Sequence, residues 1–159
     1  MRIIGTIVLL AFWMMASAQQ SVPSYSVKDM NAKELNIKEY AQDGTPKIFS
    51  LWATWCAPCR TELKALHEIY PEWKDKYGVE IVSVNVDSER MLKRAKSLYD
   101  TNGWEYTFLH ADQKKIMAAL GIESIPYSIL VDGEGNIQSV QNGYYPGYEK
   151  ELEAKLRKL

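Results

Sequence analysis

The chain has 159 residues, of which 47% are hydrophobic and 25% are charged, and its formal net charge at pH 7 is −1. A chain of this length is long enough for one domain with a full hydrophobic core. Positive and negative charges nearly balance, and there is no charge block, internal repeat or low-complexity tract. The composition therefore does not favour a nucleic-acid partner or a strongly acidic one.

The first 18 residues have the pattern of an export signal. Met1-Arg2 gives a positive start, an uncharged apolar run follows over residues 3–15, and Ala16-Ser17-Ala18 is the small-x-small sequence that a signal peptidase cleaves. The run is short for a membrane span, which needs about 20 residues. We predict a signal peptide over residues 1–18, cleaved after Ala18, and export to the periplasm or another extracytoplasmic space. A membrane anchor formed by residues 3–18 is the alternative.

The predicted signal peptide is followed by a short N-terminal region before the main part of the domain. Residues 19–24 are predicted to be a polar linker, and residues 25–159 are predicted to be the folded domain. The domain is expected to begin with a strand near residues 25–28. A short helix is expected within residues 34–40, capped near Asn36.

The strongest strand signal lies at residues 47–53, which are apolar apart from Lys47 and Ser50, as expected for a central strand with helices on both faces. A helix is predicted to follow, over residues 60–77 and the cysteines just before them. Pro71 is expected to kink or split this helix, because proline lacks an amide hydrogen and clashes with the preceding turn. Gly78 is predicted to end it. The apolar stripe of the helix consists of Leu63, Leu66, Ile69 and Trp73.

The rest of the chain alternates between strands and helices and finishes with a hairpin and a last helix. One helix is predicted to be capped by Asp87 and Ser88, and the next to be capped by Asp112 and closed by Gly121. This order predicts an α/β sandwich with a mixed central sheet flanked by helices. The predicted strands are residues 79–86, 106–109, 127–131 and 136–141, the hairpin turn is residues 132–135, and the helices are residues 89–99, 113–120 and 149–159.

The only two cysteines, Cys56 and Cys59, lie three residues apart between the central strand and the long helix. At this spacing their side chains share one face of a helix and are close enough to form a disulfide after a small adjustment. Unpaired amide hydrogens and the positive end of the helix dipole favour the thiolate of the first cysteine. A thiol pair that interconverts with a disulfide, with one thiol ionised, is a redox couple.

A zinc site and a purely structural disulfide are two other uses of such a cysteine pair. A zinc site needs four ligands as a rule, and the only histidines, His67 and His110, are not at finger-like spacing from the cysteines. A structural disulfide that closes so small a loop removes little entropy from the unfolded chain. Because the strand, the motif and the helix occur in the expected order, redox chemistry is favoured.

The stretch Trp55-Cys56-Ala57-Pro58-Cys59 resembles the active site of the thioredoxin superfamily. A proline directly before the second cysteine is similar to the exported thiol-disulfide oxidoreductases of the TlpA/ResA type. The resemblance implies a thioredoxin-like sandwich with a short N-terminal decoration and an inserted helix-strand unit over residues 88–109. It also implies a thiol-disulfide oxidoreductase with no metal and no cofactor.

The resemblance implies a division of roles between the two cysteines. Cys56 would attack a substrate disulfide, and Cys59 would resolve the mixed disulfide. Glu62 matches a glutamate of ResA-like proteins and would accept the proton of Cys59. An acid that merely favours the dipole in the first helical turn is the alternative explanation of Glu62. Ser50 stands where many thioredoxins have a buried aspartate, which leaves Glu62 as the candidate proton acceptor.

The substrate-binding residues also follow from the resemblance. In this superfamily the proline that matches Pro126 is cis and faces the active site, and the residue before it pairs its backbone with the substrate. Gly143 matches a glycine that lines the same groove, although a turn glycine explains it nearly as well. Trp55 is expected to be an exposed wall of the site and Trp52 to be either its buried support or ordinary core. The predicted substrate-binding residues are Trp55, Ala57, Pro58, Ile125, Pro126 and Gly143.

The predicted function is the reduction of disulfides in exported proteins, with an extracytoplasmic or membrane-linked electron donor that the sequence does not identify. A disulfide-forming oxidase or isomerase uses the same motif, because the direction depends on which redox form is more stable. A copper metallochaperone with a thioredoxin fold is the alternative from another class of protein. Such proteins use a wider cysteine spacing and a metal-binding histidine, neither of which is evident in this sequence.

Overall fold

The computed structural model describes residues 19–159, so the predicted signal peptide lies outside the described residues. Within residues 19–159 a single seven-stranded sheet has the order β2-β1-β5-β4-β3-β6-β7. Strands β3, β4 and β5 run parallel to each other, whereas β1, β2, β6 and β7 run antiparallel to their neighbours. The strands are β1 Ser26–Asp29, β2 Glu34–Asn36, β3 Lys47–Trp52, β4 Glu80–Asn85, β5 Thr107–His110, β6 Tyr127–Val131 and β7 Ile137–Asn142.

Helices cover both faces of this sheet, as the sequence predicted. On one face the Trp52 ring meets Trp104 and Phe108 edge-on, and Tyr99 of α3 packs against the same two rings. Tyr70 of α2 joins this aromatic cluster through Tyr106. On the other face Ile116 of α4 packs near Phe49 and Leu51. The α/β sandwich with a mixed sheet is therefore confirmed. The helices are α1 Ile37–Tyr40, α2 Ala57–Tyr77, α3 Leu92–Thr101, α4 Gln113–Leu120 and α5 Tyr148–Leu156, and a 3-10 turn, Glu89–Met91, precedes α3.

No helix within residues 19–159 is both long enough and apolar enough to cross a membrane.

The N-terminal region differs from the prediction in two places. Residues 34–36 form the short strand β2, and only the following four residues form a helix, although Asn36 caps it by accepting a hydrogen bond from the Lys38 amide at 2.9 Å. The segment predicted to be a linker is paired with the sheet. The Ile137 amide donates to the Gln20 carbonyl at 2.7 Å, and the buried Val22 donates its amide to the Gly135 carbonyl at 3.2 Å.

Pro71 is expected from the sequence to kink or split α2; the helix continues through it, so the split is wrong. Pro71 is exposed, so water can hydrate the carbonyl that loses its amide partner. The turns on either side are held by Leu66 and Trp73, which are buried in the core. The helix ends at Gly78, which has the left-handed φ of 61° that favours glycine, as predicted.

The predicted capping role of Asp87 and Ser88 is also wrong. Ser88 precedes the 3-10 turn but makes no side-chain capping hydrogen bond. Asp87 points inward, and its carboxylate accepts hydrogen bonds from Thr54. By contrast, Asp112 caps α4 through the Lys115 amide, and Gly121 closes the helix with φ 67°, as predicted.

Candidate functional site

The cysteine motif lies where the central strand meets the long helix. Strand β3 ends at Trp52, and Cys56 is the N-cap residue of α2, with extended backbone angles. The Cys56 amide donates to the Ala53 carbonyl at 3.0 Å, which forms a tight turn between strand and helix. Cys56 and Cys59 form a disulfide with a Cα–Cα distance of 5.3 Å. The spacing argument is therefore confirmed.

The two sulfurs have different surroundings. The Cys59 amide donates to the Cys56 sulfur at 3.3 Å, so the sulfur of Cys56 occupies the place of an N-cap oxygen at the positive end of α2. Cys56 is 5% exposed, whereas Cys59, in the first turn of the helix, is completely buried. The environment at the helix end favours a thiolate on Cys56 more than on Cys59.

Glu62 is the sixth residue of α2, not part of its first turn, and it is only 1% exposed. The alternative in which it merely favours the dipole in the first turn is therefore wrong. The Ser128 hydroxyl donates to Oε1, while Oε2 has no hydrogen-bond partner among the described residues. Burial raises the pKa of Glu62 to about 7; the hydrogen bond from Ser128 lowers it, and the negative charge of Glu149 raises it further.

The register of the sheet explains how Ser128 reaches Glu62. Strand β6 is antiparallel to β3, and Ser128 is paired with Ser50. Paired residues point to the same face of a sheet, which here is the face covered by α2. Ser128 lies only two residues after Pro126, so a single short strand segment carries both the proline loop and the partner of the buried acid.

The Ile125–Pro126 peptide bond is cis, as the resemblance implied. Because Tyr127 is paired with Leu51, this loop lies at the end of the sheet from which the cysteine motif emerges. The Gly143 amide donates to the Pro126 carbonyl at 2.8 Å, so the structure brings these two predicted residues together. Gly143 has φ 80°, a left-handed conformation that favours glycine.

The surface next to the disulfide combines an exposed aromatic ring with small residues. Trp55 is 62% exposed, and Ala57 and Pro58 are also exposed. Trp52, by contrast, is fully buried, and its ring packs 5.4 Å from that of Trp104 between ring centroids. Trp52 is therefore part of the aromatic core under the site.

The two histidines do not join the cysteines in a metal site. His67 packs edge-on against Tyr106, and the buried His110 lies with Nε2 2.8 Å from the Asp87 carbonyl. Over residues 19–159, no group of three or more histidine, cysteine, aspartate and glutamate side chains is arranged to hold a metal ion.

Sequence reasoning missed the contact between Asp87 and Thr54 beside the cysteine motif. Asp87 follows β4 directly, and β4 is parallel to the strand that leads into the cysteine motif. The carboxyl ends of parallel strands meet at one edge of the sheet, where functional residues of α/β proteins collect. An acidic residue directly after the neighbouring strand was therefore a usable signal, but the capping pattern concealed it.

A sheet of this order, with a C-x-x-C disulfide at a helix start and a cis-proline loop at the same end, is the arrangement of thioredoxin-like proteins. The profile of the AhpC/TSA family matches residues 18–140, and the chain belongs to this family. Its chemistry is that of a thiol-disulfide oxidoreductase.

Individual relatives are similar to most of the chain. Thioredoxin-like protein YneN of Bacillus subtilis is 32% identical over 138 residues, which cover 86% of this chain and 77% of the relative. Thiol-disulfide oxidoreductase ResA of Bacillus anthracis is 27% identical over 140 residues, which cover 88% and 77%, respectively.

Solved structures show the same fold. A thioredoxin-like protein from Porphyromonas gingivalis superposes with a TM-score of 0.77 at 37% identity, over 87% of this chain and 90% of that one. StoA from Bacillus subtilis superposes with a TM-score of 0.65 at 23% identity, over 86% and 98%. The second likeness, at this identity, concerns the fold alone.

Proposed function

We propose that this protein reduces disulfide bonds of exported proteins outside the cytoplasm, with Cys56 as the attacking sulfur and Cys59 as the resolving sulfur. The observation that carries the proposal is the difference between the two sulfurs. Cys56 accepts a hydrogen bond at the positive end of α2, whereas Cys59 is completely buried one turn further along. A thiolate is the attacking species in disulfide exchange, so the helix end selects Cys56.

The reaction proceeds in two exchange steps. The Cys56 thiolate attacks one sulfur of the substrate disulfide, and the other substrate sulfur leaves as a thiolate. Cys59 then loses its proton and attacks the Cys56 sulfur, which re-forms the Cys56–Cys59 disulfide and releases the second substrate thiolate. Two electrons pass from the protein to the substrate, and an extracytoplasmic or membrane-linked thiol donor must reduce the protein again.

Glu62 is suited to take the proton from Cys59. It lies three residues further along α2, on the same side of the helix, and one of its oxygens is unpaired within the described chain. A carboxyl whose pKa is raised to about 7 by burial exchanges protons near neutral pH. Ionised Glu62 accepts the Cys59 proton as Cys59 attacks, and the protonated acid returns it when the dithiol is regenerated.

The substrate is expected to lie between the cysteine motif and the cis-proline loop. The exposed surface of Trp55, Ala57 and Pro58 contributes one side of this groove. The backbone of Ile125, next to Pro126, and the glycine turn at Gly143 contribute the other side. Backbone pairing with an extended segment suits protein substrates whose side chains differ, because main-chain hydrogen bonds provide the contact.

A trapping experiment tests the division of roles. Cys59→Ser is expected to accumulate mixed disulfides with substrates, because no second thiol resolves them. Cys56→Ser is expected to trap little, because its remaining thiol is buried and lacks the helix end. Both variants are produced in the native host, and their adducts are compared on non-reducing gels and identified by mass spectrometry. Equal trapping by both variants, or trapping by neither, would contradict the assignment.

The direction of electron flow is tested by the reduction potential of the Cys56–Cys59 couple. A potential well below the poise of the extracytoplasmic thiol pool supports a reductant, whereas a potential near that of disulfide-forming enzymes supports an oxidase or isomerase. Equilibration with a glutathione buffer of known ratio, followed by the fluorescence of the nearby tryptophans, gives this value.

Export is tested by the intact mass of the protein recovered from the native host. The charge and apolar pattern of residues 1–18 supports cleavage after Ala18, which would leave Gln19 as the first residue. A species that retains Met1 and partitions with membranes would instead support the anchor.

A further inference from the structure

The carboxylate of Asp87 is buried beside the cysteine motif, and both of its oxygens accept hydrogen bonds. The side chain is 2% exposed. Its Oδ2 accepts from the Thr54 amide at 2.8 Å and from Asn85 Nδ2 at 2.9 Å, and its Oδ1 accepts from the Thr54 hydroxyl at 3.0 Å. A carboxylate removed from water is stable only where hydrogen-bond donors replace the water. Thr54 and Asn85 supply these donors to Asp87.

These bonds hold the segment that connects the central strand to Cys56. Thr54 lies two residues before Cys56, between the end of β3 and the start of α2. Among the described residues, Asp87 is the only side chain from elsewhere in the fold that hydrogen-bonds residues 53–55. The Val86 amide donates to the Trp52 carbonyl at 2.8 Å, which ties the Asp87 loop to the last residue of β3.

The Asp87 loop is itself held from its other side. His110, at the end of β5, is buried and lies with Nε2 2.8 Å from the Asp87 carbonyl. The Ala111 amide donates to the Asn85 carbonyl at 2.9 Å. Thr54 is therefore tied, through Asp87, to the loops that follow the two parallel strands β4 and β5.

We propose that Asp87 is a positioning residue for disulfide exchange, because its carboxylate holds Thr54 and thereby keeps Cys56 at the N-cap of α2. The need for such a contact arises from the reaction. In the oxidised protein the disulfide restrains Cys56, but reduction breaks that bond just before Cys56 must attack. The bonds between Asp87 and Thr54 do not involve sulfur, so breaking the disulfide does not remove them.

The contact between Asp87 and Thr54 is expected to increase the rate at which Cys56 attacks a disulfide. A nucleophile that is already placed reacts faster than one that must first be ordered, and a displacement of about 1 Å costs as much as about 100-fold. Cys56 also benefits from the helix end only while it remains at the N-cap, since the effect of the dipole is confined to the first turn. The proposal rests on the assignment of Cys56 as the attacking sulfur.

The test compares the reduced forms of Asp87→Ala, Thr54→Val and the double variant with the wild type. Thr54→Val removes only the hydroxyl and leaves the charge of Asp87 in place, so it carries the test even if Asp87→Ala does not fold. The probe is oxidised glutathione, and the measured quantities are the second-order rate constant and, from the pH dependence of Cys56 alkylation, the thiol pKa. Asp112→Ala is the matched control, because it removes an aspartate that caps α4 and does not contact residues 53–55.

We expect the rate constant to fall about tenfold or more in Asp87→Ala and about threefold in Thr54→Val, with the Cys56 thiol pKa raised in the latter. The double variant should lose less than the product of the single effects, because the two side chains act through one contact. Asp112→Ala should change neither quantity.

A purely structural role predicts a different result. If the role of Asp87 is purely structural, the variants should have a lower free energy of unfolding. At temperatures where they are folded, their rate constant and thiol pKa should equal those of the wild type. That outcome would overturn the positioning role of Asp87. It would leave the assignment of Cys56 intact, since that assignment fails only if the two cysteine variants trap substrate equally or not at all.

Discussion

Glu62 shows how the position of a single side chain changes its chemistry. A glutamate on the surface of a helix ionises near pH 4.5, but burial between α2 and the sheet raises the pKa of this one to about 7. The charged and titratable groups that face it are Glu149 and Tyr148 of α5, Tyr106 before β5 and Tyr144 of the loop before α5. None of these is a cation, so no positive charge from them offsets the cost of ionisation.

Glu62→Gln is expected to change how stability depends on pH in the oxidised protein, in which neither cysteine titrates. The pKa of Glu62 in the folded protein is above the ordinary value. Below about pH 4.5 the side chain is therefore protonated in both the folded and the unfolded protein, and no charge has to be removed from water on folding. Stability is lost as the pH rises from about 4.5 to about 7, by on the order of 3 kcal/mol. Glutamine carries no charge at any pH, so the variant should lack this decline.

The measurement is the free energy of unfolding in denaturant between pH 4 and pH 8. Glu68→Gln is the control, since Glu68 is an exposed glutamate on the same helix and its replacement should leave the decline in place. A wild-type curve that runs parallel to that of Glu62→Gln would contradict the raised pKa.

Ser128→Ala is expected to raise the pKa of Glu62 above that of the wild type. The Ser128 hydroxyl donates to Oε1 and stabilises the ionised acid, so its loss disfavours ionisation. The side-chain carboxyl signal of Glu62, followed by carbon NMR as a function of pH, gives the value directly. Ser128→Thr retains a hydroxyl at the same position and should stay near the wild type, and an unchanged pKa in Ser128→Ala would mean that the contact does not tune the acid.

Helix α2 links the redox site to the core, and its length explains how it tolerates Pro71. Its first turn carries the disulfide, and its buried residues extend from Cys59 to Trp73. Tertiary packing of this face supplies most of the stability of such a helix, so one missing backbone hydrogen bond does not end it. Proline disrupts a helix through one lost hydrogen bond and one local clash. In α2 the core packing of the neighbouring turns outweighs that cost.

Pro71→Ala is expected to raise the free energy of unfolding by about 1 to 2 kcal/mol. The substitution restores the backbone hydrogen bond and relieves the clash, a gain of about 3 kcal/mol, while the greater freedom of the unfolded chain removes about 1 kcal/mol. Denaturant unfolding of the oxidised protein measures the change. Pro146→Ala, in an exposed loop, should show no such gain, and a destabilised Pro71→Ala would indicate that the proline has a packing role of its own.

The N-terminal segment, residues 19–25, runs from one edge of the sheet toward the other. Gln20 and Val22 bond to the β6–β7 hairpin at one edge, and β1 then enters the sheet between β2 and β5. Val22 and Tyr25 line a small buried cavity together with Phe49 of the central strand. The segment therefore covers a face of the sheet and is part of the domain.

Removal of residues 19–22 is expected to lower the free energy of unfolding by about 2 to 3 kcal/mol without preventing formation of the disulfide. The loss consists mainly of the burial of Val22, which is 2% exposed, and of the two backbone hydrogen bonds to the hairpin. Denaturant unfolding and a thiol titration of the shortened protein measure both. Replacement of the exposed Gln19 by alanine should have little effect, and equal stability of the shortened chain would mean that the segment is a linker after all.

The features that the sequence alone determined are those that depend on residues near each other in the chain. The C-x-x-C spacing placed two sulfurs within disulfide distance, Asp112 and the glycines at 78 and 121 marked helix ends, and the apolar run that became β3 identified the central strand. Each of these signals acts through one turn of helix or a few residues of strand, so it can be read without knowledge of the rest of the fold.

The tertiary structure alone decided how residues far apart in the chain meet. The register of β6 against β3 placed Ser128 beside Glu62, and the parallel pairing of β3 with β4 placed Asp87 beside Thr54. A shift of one residue in either pairing would turn these side chains to the opposite face of the sheet. The register is set by the burial of whole strands, a property that no short stretch of this sequence contains.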